Sequence, residues 1–247
     1  MKKTVSVVSP CLNEAQFLPF WLENVAPWAD EIIVVDGDST DNSIDIIKEA
    51  QKDLNIKLIV KPQQGNPYST DWKEDECRNL LLDNCTMDYV LSLDIDEVIS
   101  DSFKEFKEGL YRYAYAFNFV SFWKDFKTVR LNHPVDPRWE GHHLCLWKNN
   151  PNLRYVDKHH CTLENFDNRR ITYVDDVALF HIHYAVGLKY RDNRRGDVGY
   201  GHTDLIDGEP DWNFLNKGDY VYKLVTKPYE GKYPKALERA IKNQGDK

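Results

Sequence analysis

Long apolar runs are missing from this sequence. No stretch of its 247 residues approaches the roughly 18 apolar residues a membrane span needs, so no transmembrane segment is expected. The start, MKKTVSVVSP, sets two lysines before an apolar run too short for a secretory signal. Paired cysteines are missing as well. Cys11, Cys77, Cys85, Cys145 and Cys161 form an odd, scattered set without a CxxC pair. They read as free thiols in a reducing compartment, so the expected location is the cytoplasm. An excess of positive charge is also absent. The net charge of −8 argues against a surface that coats nucleic acid or anchors strongly to anionic lipid. No nucleic-acid partner is expected; a local basic pocket and a peripheral membrane contact stay open. Neither G-x-G-x-x-G nor G-x-x-x-x-G-K occurs, which leaves dinucleotide-cofactor and P-loop readings poor. There is no internal repeat, low-complexity segment or Gly/Ser/Pro linker.

What remains is an ordinary globular composition, 42% hydrophobic and 29% charged, in a chain long enough to bury a sizeable core. The first 100 residues alternate strand and helix signals. TVSVVSP (4–10), EIIVVD (31–36), IKLIV (56–60) and DYVLSLD (88–94) read as strands. EAQFLPFWLENV (14–25), STDNSIDIIKEAQKD (39–53) and KEDECRNLLLDN (73–84) read as helices, with Pro19 near the first turn of its helix and a cap signal at Ser39–Asn42. Such alternation predicts a mainly parallel sheet with right-handed crossovers. Beyond residue 100 the pattern is mixed. DSFKEFKEGL (101–110) reads as a short helix. YRYAYAFNF (111–119) carries aromatics at strict period two, and HHLCLWK (142–148) and DVALFHIHY (176–184) are further strands. Turn residues crowd the tail from about 200, which is expected to wrap the surface.

Three carboxylates, Asp94, Asp96 and Glu97, close the fourth strand. In an open α/β sheet, ligands bind beyond the carboxyl ends of strands, where strand order reverses. At i and i+2 of an extended segment, Asp94 and Asp96 point the same way. Two carboxylates held together repel unless a cation or proton sits between them. Mg²⁺ or Mn²⁺ takes one or two protein carboxylates and fills its other positions with water and phosphate oxygens. The plainer alternative is a solvated strand end, with Asp101 and Ser102 capping the next helix. An EF-hand does not fit, because Ile99 occupies the glycine position. The first two strands also end in polar turns, SPCLNEA and VVDGDSTDNS, and a carboxylate such as Asp36 can accept hydrogen bonds from a base or ribose.

Taken together, VSVVSPCLNE, ADEIIVVDGDSTDNS, CRNLLL and DYVLSLDIDE resemble a family-2 glycosyltransferase of the GT-A fold, in the family's order and at about its spacing. The resemblance covers roughly the first 100 residues. It implies an α/β fold with a mainly parallel, Rossmann-like sheet flanked by helices. It also implies transfer of a sugar from a nucleotide-sugar donor to an acceptor hydroxyl, usually with inversion, assisted by Mn²⁺ or Mg²⁺. The acceptor class stays open among saccharides, lipid-linked glycans and other hydroxyl carriers. Carried over by position, Pro10, Asn13, Glu14 and Asp36 line the nucleoside pocket, with Asp38 and Ile95 counted among the donor-binding residues. Arg78 faces the diphosphate or Asp94. Asp94 contacts ribose or metal, and Asp96 binds the metal and belongs to the catalytic set. Residues 1–100 then form the nucleotide-sugar half, 101–200 the acceptor side of the same domain and 201–247 a C-terminal extension.

LFHIHY places His181 and His183 on one strand face, and either suits the late metal ligand that related enzymes often supply. Lys189 belongs with Arg191, Arg194 and Arg195 as a group that could neutralise the leaving diphosphate. An inverting transfer needs a base. Members resembling lipopolysaccharide-core transferases carry a His-Glu pair near VDKHHCTLE (156–164), where this chain has His159, His160 and Cys161. His160 and His159 are the first candidates, followed by Glu164, Glu140 and Asp136. Trp123, Trp139 and Trp147 could stack on a sugar ring, or fill the core. The competing readings are a degenerate fold kept as a carbohydrate-binding module and a histidine-rich zinc hydrolase, the latter without an HExxH motif.

Overall fold

The computed structural model describes residues 2–63, 73–123, 125–131, 141–156, 162–183, 185 and 226–245. In the first half β1 (Val5–Cys11), β2 (Glu31–Asp36), β3 (Ile56–Val60) and β4 (Tyr89–Ser92) alternate with α1 (Leu18–Val25), α2 (Ser43–Ala50) and α3 (Glu74–Asp83). β4, β1, β2 and β3 lie side by side and parallel. Period two divides their apolar residues between two faces. Val5, Val7, Ile32, Val34 and Leu91 meet Leu18, Trp21, Val25 and Ile47 of α1 and α2. Val8, Ile33, Val35 and Val90 meet Cys77 and Leu81 of α3. A continuous apolar run is what a strand covered on both sides requires.

The later strands are β5 (Glu97–Ile99), β6 (Ala114–Trp123), β7 (Asp125–Arg130), β8 (His142–Lys148), β9 (Arg154–Val156), β10 (Thr162–Glu164), β11 (Ile171–His181) and β12 (Thr226–Pro228). Among the described residues a 10-stranded sheet runs β12-β7-β6-β8-β4-β1-β2-β3, with β11 joined to β5 and β6 off this path, and β9 pairs only with β10. β8 lies antiparallel to β4, so one sheet crosses the boundary at residue 100. α4 (Phe103–Phe106) and a 3₁₀ turn (Lys107–Gly109) take the place of the single helix expected over 101–110. Ser102 stands at the N-cap of α4 without a capping side-chain bond, and its hydroxyl donates to the Asp176 carbonyl instead.

Some expected boundaries move for identifiable reasons. α1 begins at Leu18, with Pro19 in its first turn, where its missing N–H costs nothing. α2 begins at Ser43, whose N–H is taken by Asp41 Oδ1 at 2.9 Å. β6 begins at Ala114 because the Tyr115 hydroxyl accepts from the N–H groups of Tyr111 and Arg112 and turns the chain there. The described part of the tail does more than cover the surface. β12 pairs antiparallel with β7, and α5 (Lys235–Gly245) buries Ala236 and Leu237 in the core. The Lys235 N–H meets the Asp101 carboxylate at 3.3 Å, so Asp101 tends the start of α5.

Candidate active site

The turns after β1 and β2 interlock. Asp36 is fully buried and spends both carboxylate oxygens on Ser39, one on its N–H and one on its hydroxyl, each at 2.7 Å. Its side chain holds the loop that follows. Asn13 takes a positive φ of 56° and Asp38 one of 73°, the left-handed region these residue types tolerate best after glycine. In that pose Asn13 Oδ1 accepts from the N–H of Thr40 at 2.8 Å, and the Ser39 hydroxyl accepts from the Asn13 N–H at 2.8 Å. Glu14 is buried, and its N–H donates to Ser43 Oγ at 2.8 Å. Pro10 stays half-buried in β1. Pro10, Asn13, Glu14, Asp36 and Asp38 gather at adjacent strand ends.

Past β4 the expected extended segment is a turn, Asp94–Glu97. The Glu97 N–H donates to the Asp94 carbonyl at 2.9 Å, and Glu97 Oε2 accepts from the Asp94 N–H at 3.0 Å. Glu97 is buried. Desolvation first, then the charges of Asp94 and Asp96, push its carboxyl well above the ordinary range. The turn sends the two aspartates to different partners. Asp94 receives the Arg78 guanidinium as a two-pronged fork, both contacts at 3.2 Å, while Arg78 Nε holds Glu74 at 2.7 Å. Asp96 is buried against two imidazoles, His183 Nδ1 at 2.9 Å and His181 Nε2 at 3.6 Å from the same Oδ2. Ile95, between them, is a core residue at 1% exposure.

Sheet pairing brings the histidines there. β11 runs antiparallel to β5 with His181 opposite Glu97, and the Ile182 N–H donates to the Asp96 carbonyl at 2.9 Å. The strand expected over 176–184 ends at His181, so His183 sits in the next turn, yet the two rings lie parallel at 5.7 Å and 4°. Phe17 stacks on His183, Phe119 tilts against His181, and His143 stacks on Phe119 at 3.7 Å. Phe17, Phe119 and Ser121 carry no site signal in the sequence, whereas Glu97 stands in the carboxylate run and His143 among the histidines of the zinc reading. The period-two spacing of Phe119 and Ser121 is their one hint. Trp147 and Trp123 are buried side chains and offer no open face for a sugar. His159, His160, Lys189, Arg191, Arg194, Arg195, Asp136, Trp139 and Glu140 lie outside the described residues, whereas Glu164 is exposed on β10.

One oxygen of Asp96 and one nitrogen from each of His181 and His183 lie within 4.8 Å of one another, a donor set that fits a divalent ion. The glycosyl transferase family 2 model matches residues 6–170. The chain belongs to glycosyl transferase family 2. Relatives include an uncharacterized glycosyltransferase of Rickettsia bellii, 32% identical over 105 residues, 42% of this chain and 32% of that protein. A second, from Rickettsia typhi, is 32% identical over 103 residues, 42% of this chain and 31% of that protein. The chain spans about a third of the length of these curated relatives. Among solved structures, S. aureus TarS in complex with UDP aligns with a TM-score of 0.50 at 16% identity, covering 72% of this chain and 60% of that one. That likeness is one of fold, and the mainly parallel sheet with flanking helices is the GT-A arrangement. No described helix is long and apolar enough to cross a membrane.

Proposed function

We propose that this chain transfers a sugar, a hexose by class, from a nucleotide-diphosphate-sugar donor to the hydroxyl of a saccharide or lipid-linked glycan, with inversion and with a divalent ion. The observation that carries the reading is the Asp96–His181–His183 cluster beside the Arg78–Asp94 fork, at the carboxyl end of β4 in a family 2 chain. Asp96, His183 and His181 would hold the ion, with Asp94 facing ribose or metal. Bound Mn²⁺ or Mg²⁺ supplies positive charge for the diphosphate oxygens. Arg78 holds Asp94 in place through its two-pronged contact. Asn13 and Asp36 hold the β1 and β2 loops in the shape a nucleoside would meet. A UDP complex in a chain of similar fold supports a nucleotide donor. His160 or His159 would take the acceptor proton.

Thermal shift of the full chain with Mn²⁺ and a panel of UDP-, GDP-, dTDP- and CMP-sugars tests this. A ligand at about 100 times its Kd stabilises the native state by about 2.7 kcal/mol, so one donor class is expected to raise the melting temperature. Asp96→Ala is expected to abolish Mn²⁺-dependent donor binding while the fold survives. Undiminished nucleotide affinity in Mn²⁺ would remove the site.

A further inference from the structure

We propose that Asp96, His181 and His183 form a two-imidazole, one-carboxylate site that selects a borderline transition ion such as Co²⁺ or Zn²⁺ over Mg²⁺ and holds it before any nucleotide arrives. The inference rests on the metal-dependent reading above and sharpens it: His181 is the residue that sets the choice of ion.

Convergence comes first. The two histidines approach a single oxygen, Asp96 Oδ2, with different ring nitrogens, Nδ1 of His183 and Nε2 of His181. Both rings are also held in place. They lie parallel to within 4°, Phe17 stacks on His183 at 6.0 Å, and Phe119 packs against His181 at 5.8 Å. The remaining nitrogen of His181, Nδ1, lies 3.4 Å from Ser121 Oγ. A proton on Nδ1 shared with that hydroxyl leaves the Nε2 lone pair aimed at Asp96, the outer-shell arrangement that fixes a ligating tautomer. Burial adds to this. Asp96, His181 and His183 are 8%, 9% and 6% exposed, so the donors are gathered and largely stripped of water already.

Ion chemistry then discriminates. Mg²⁺ takes oxygen ligands, dehydrates reluctantly and is seldom bound without substrate phosphates. This cluster offers it one carboxylate. Two neutral imidazoles suit Co²⁺ and Zn²⁺, and affinity for such a set rises from Mn²⁺ through Co²⁺, with Zn²⁺ also well above Mn²⁺. Had His181 been an apolar residue, the set would be one imidazole and one carboxylate, and the preference would fall.

The test uses the full chain after chelator treatment, with neither nucleotide nor acceptor. Co²⁺ is followed by its visible absorption, and Co²⁺, Zn²⁺, Mn²⁺ and Mg²⁺ by calorimetry. Co²⁺ and Zn²⁺ are expected to bind one per chain, with Mg²⁺ at least about a hundredfold weaker. His181→Asn is expected to lower Co²⁺ affinity by more than the roughly 10–100-fold that an outer-shell partner carries and to change the cobalt spectrum, with the metal-free melting temperature retained. Mg²⁺ binding within about tenfold of Co²⁺ in the unmodified chain overturns the proposal, and so does an unchanged cobalt affinity in His181→Asn. Should that variant fail to fold, the comparison of ions on the unmodified chain decides alone. Sugar transfer that runs equally well in Mg²⁺, with Mg²⁺ bound as tightly as Co²⁺, defeats the selectivity and spares the transferase reading. Selective cobalt binding with no transfer from any donor supports the selectivity and defeats the transferase reading.

Discussion

Cys77 sits in the cluster between α3 and the sheet with Val8, Ile33 and Val35, and burial pushes its thiol up to about 12. An unfolded thiol ionises near 8.5. Above that pH the unfolded chain has given up a proton that the folded chain keeps, so stability falls as pH rises, until the folded thiol itself ionises. The decline for one such thiol approaches about 1.4 kcal/mol per pH unit. Cys77→Ala removes that dependence. The variant is expected to be less stable at neutral pH, because it empties buried volume, yet to lose stability more slowly between about pH 8.5 and 10.5. Urea unfolding of both proteins across that range checks it, and parallel declines would show that Cys77 ionises normally in the folded state. The four cysteines among the described residues are free, in keeping with the reading of the sequence.

Elements show why some of the site was legible and some was not. β2, β3 and β8 run between the residues where their apolar stretches begin and end, since nothing local competes with the strand. The stretch after β4 is different. Leu93 and Ile95 are buried while Asp94 and Asp96 carry the charges, so LSLDID keeps strand alternation although the chain has turned. The cause is Glu97, whose carboxylate pulls the Asp94 N–H back, and a pattern of apolar and polar residues does not register that bond. Pairing His181 with Asp96 depends on the register of β11 against β5, a contact 85 positions apart in the chain, so the sequence supplied the residue types without their meeting point. α3 shows a similar long-range device. Asn79 donates to the Tyr155 carbonyl and accepts from the Tyr155 N–H, both at 2.8 Å, copying a strand partner. Arg78 lies 5.8 Å from the Tyr155 ring centre, and Arg154 pairs with Asp83 at 2.8 Å. β9 thus runs along α3 from Asp83 towards the end where Arg78 meets Asp94. Asn79→Ala leaves both Tyr155 backbone groups without the amide, at a cost of about 1–3 kcal/mol. Amide exchange is expected to quicken at Tyr155 and across β10, with β1 and β2 unchanged; unaltered exchange at Tyr155 would mean the amide does not hold the hairpin.

At the scale of the molecule, the sequence divides into a regular first half, a mixed second half and an extension, but the sheet does not respect those divisions. β8 enters beside β4, and β12 from the far end of the chain closes the edge at β7. The described part of the extension is hard to read in the sequence because its buried residues, Ala236 and Leu237, stand in a polar, turn-rich setting. Leu237 is fully buried, α5 packs on α1, and Tyr229 and Tyr233 lie against Phe122 at 5.3 Å and 6.0 Å. The Tyr233 hydroxyl donates to the Phe126 carbonyl at 2.7 Å. If these contacts join the tail to the same cooperative unit as the donor-side strands, a cavity at Leu237 must be felt in β1 and β2. Leu237→Ala is expected to cost about 2–5 kcal/mol, and slow amide exchange at Ile32–Val35 should lose protection by that same amount, because those core amides exchange through global opening. Loss of protection confined to α5 and β12, with Ile32–Val35 at full protection, would mark the tail as a separately unfolding segment.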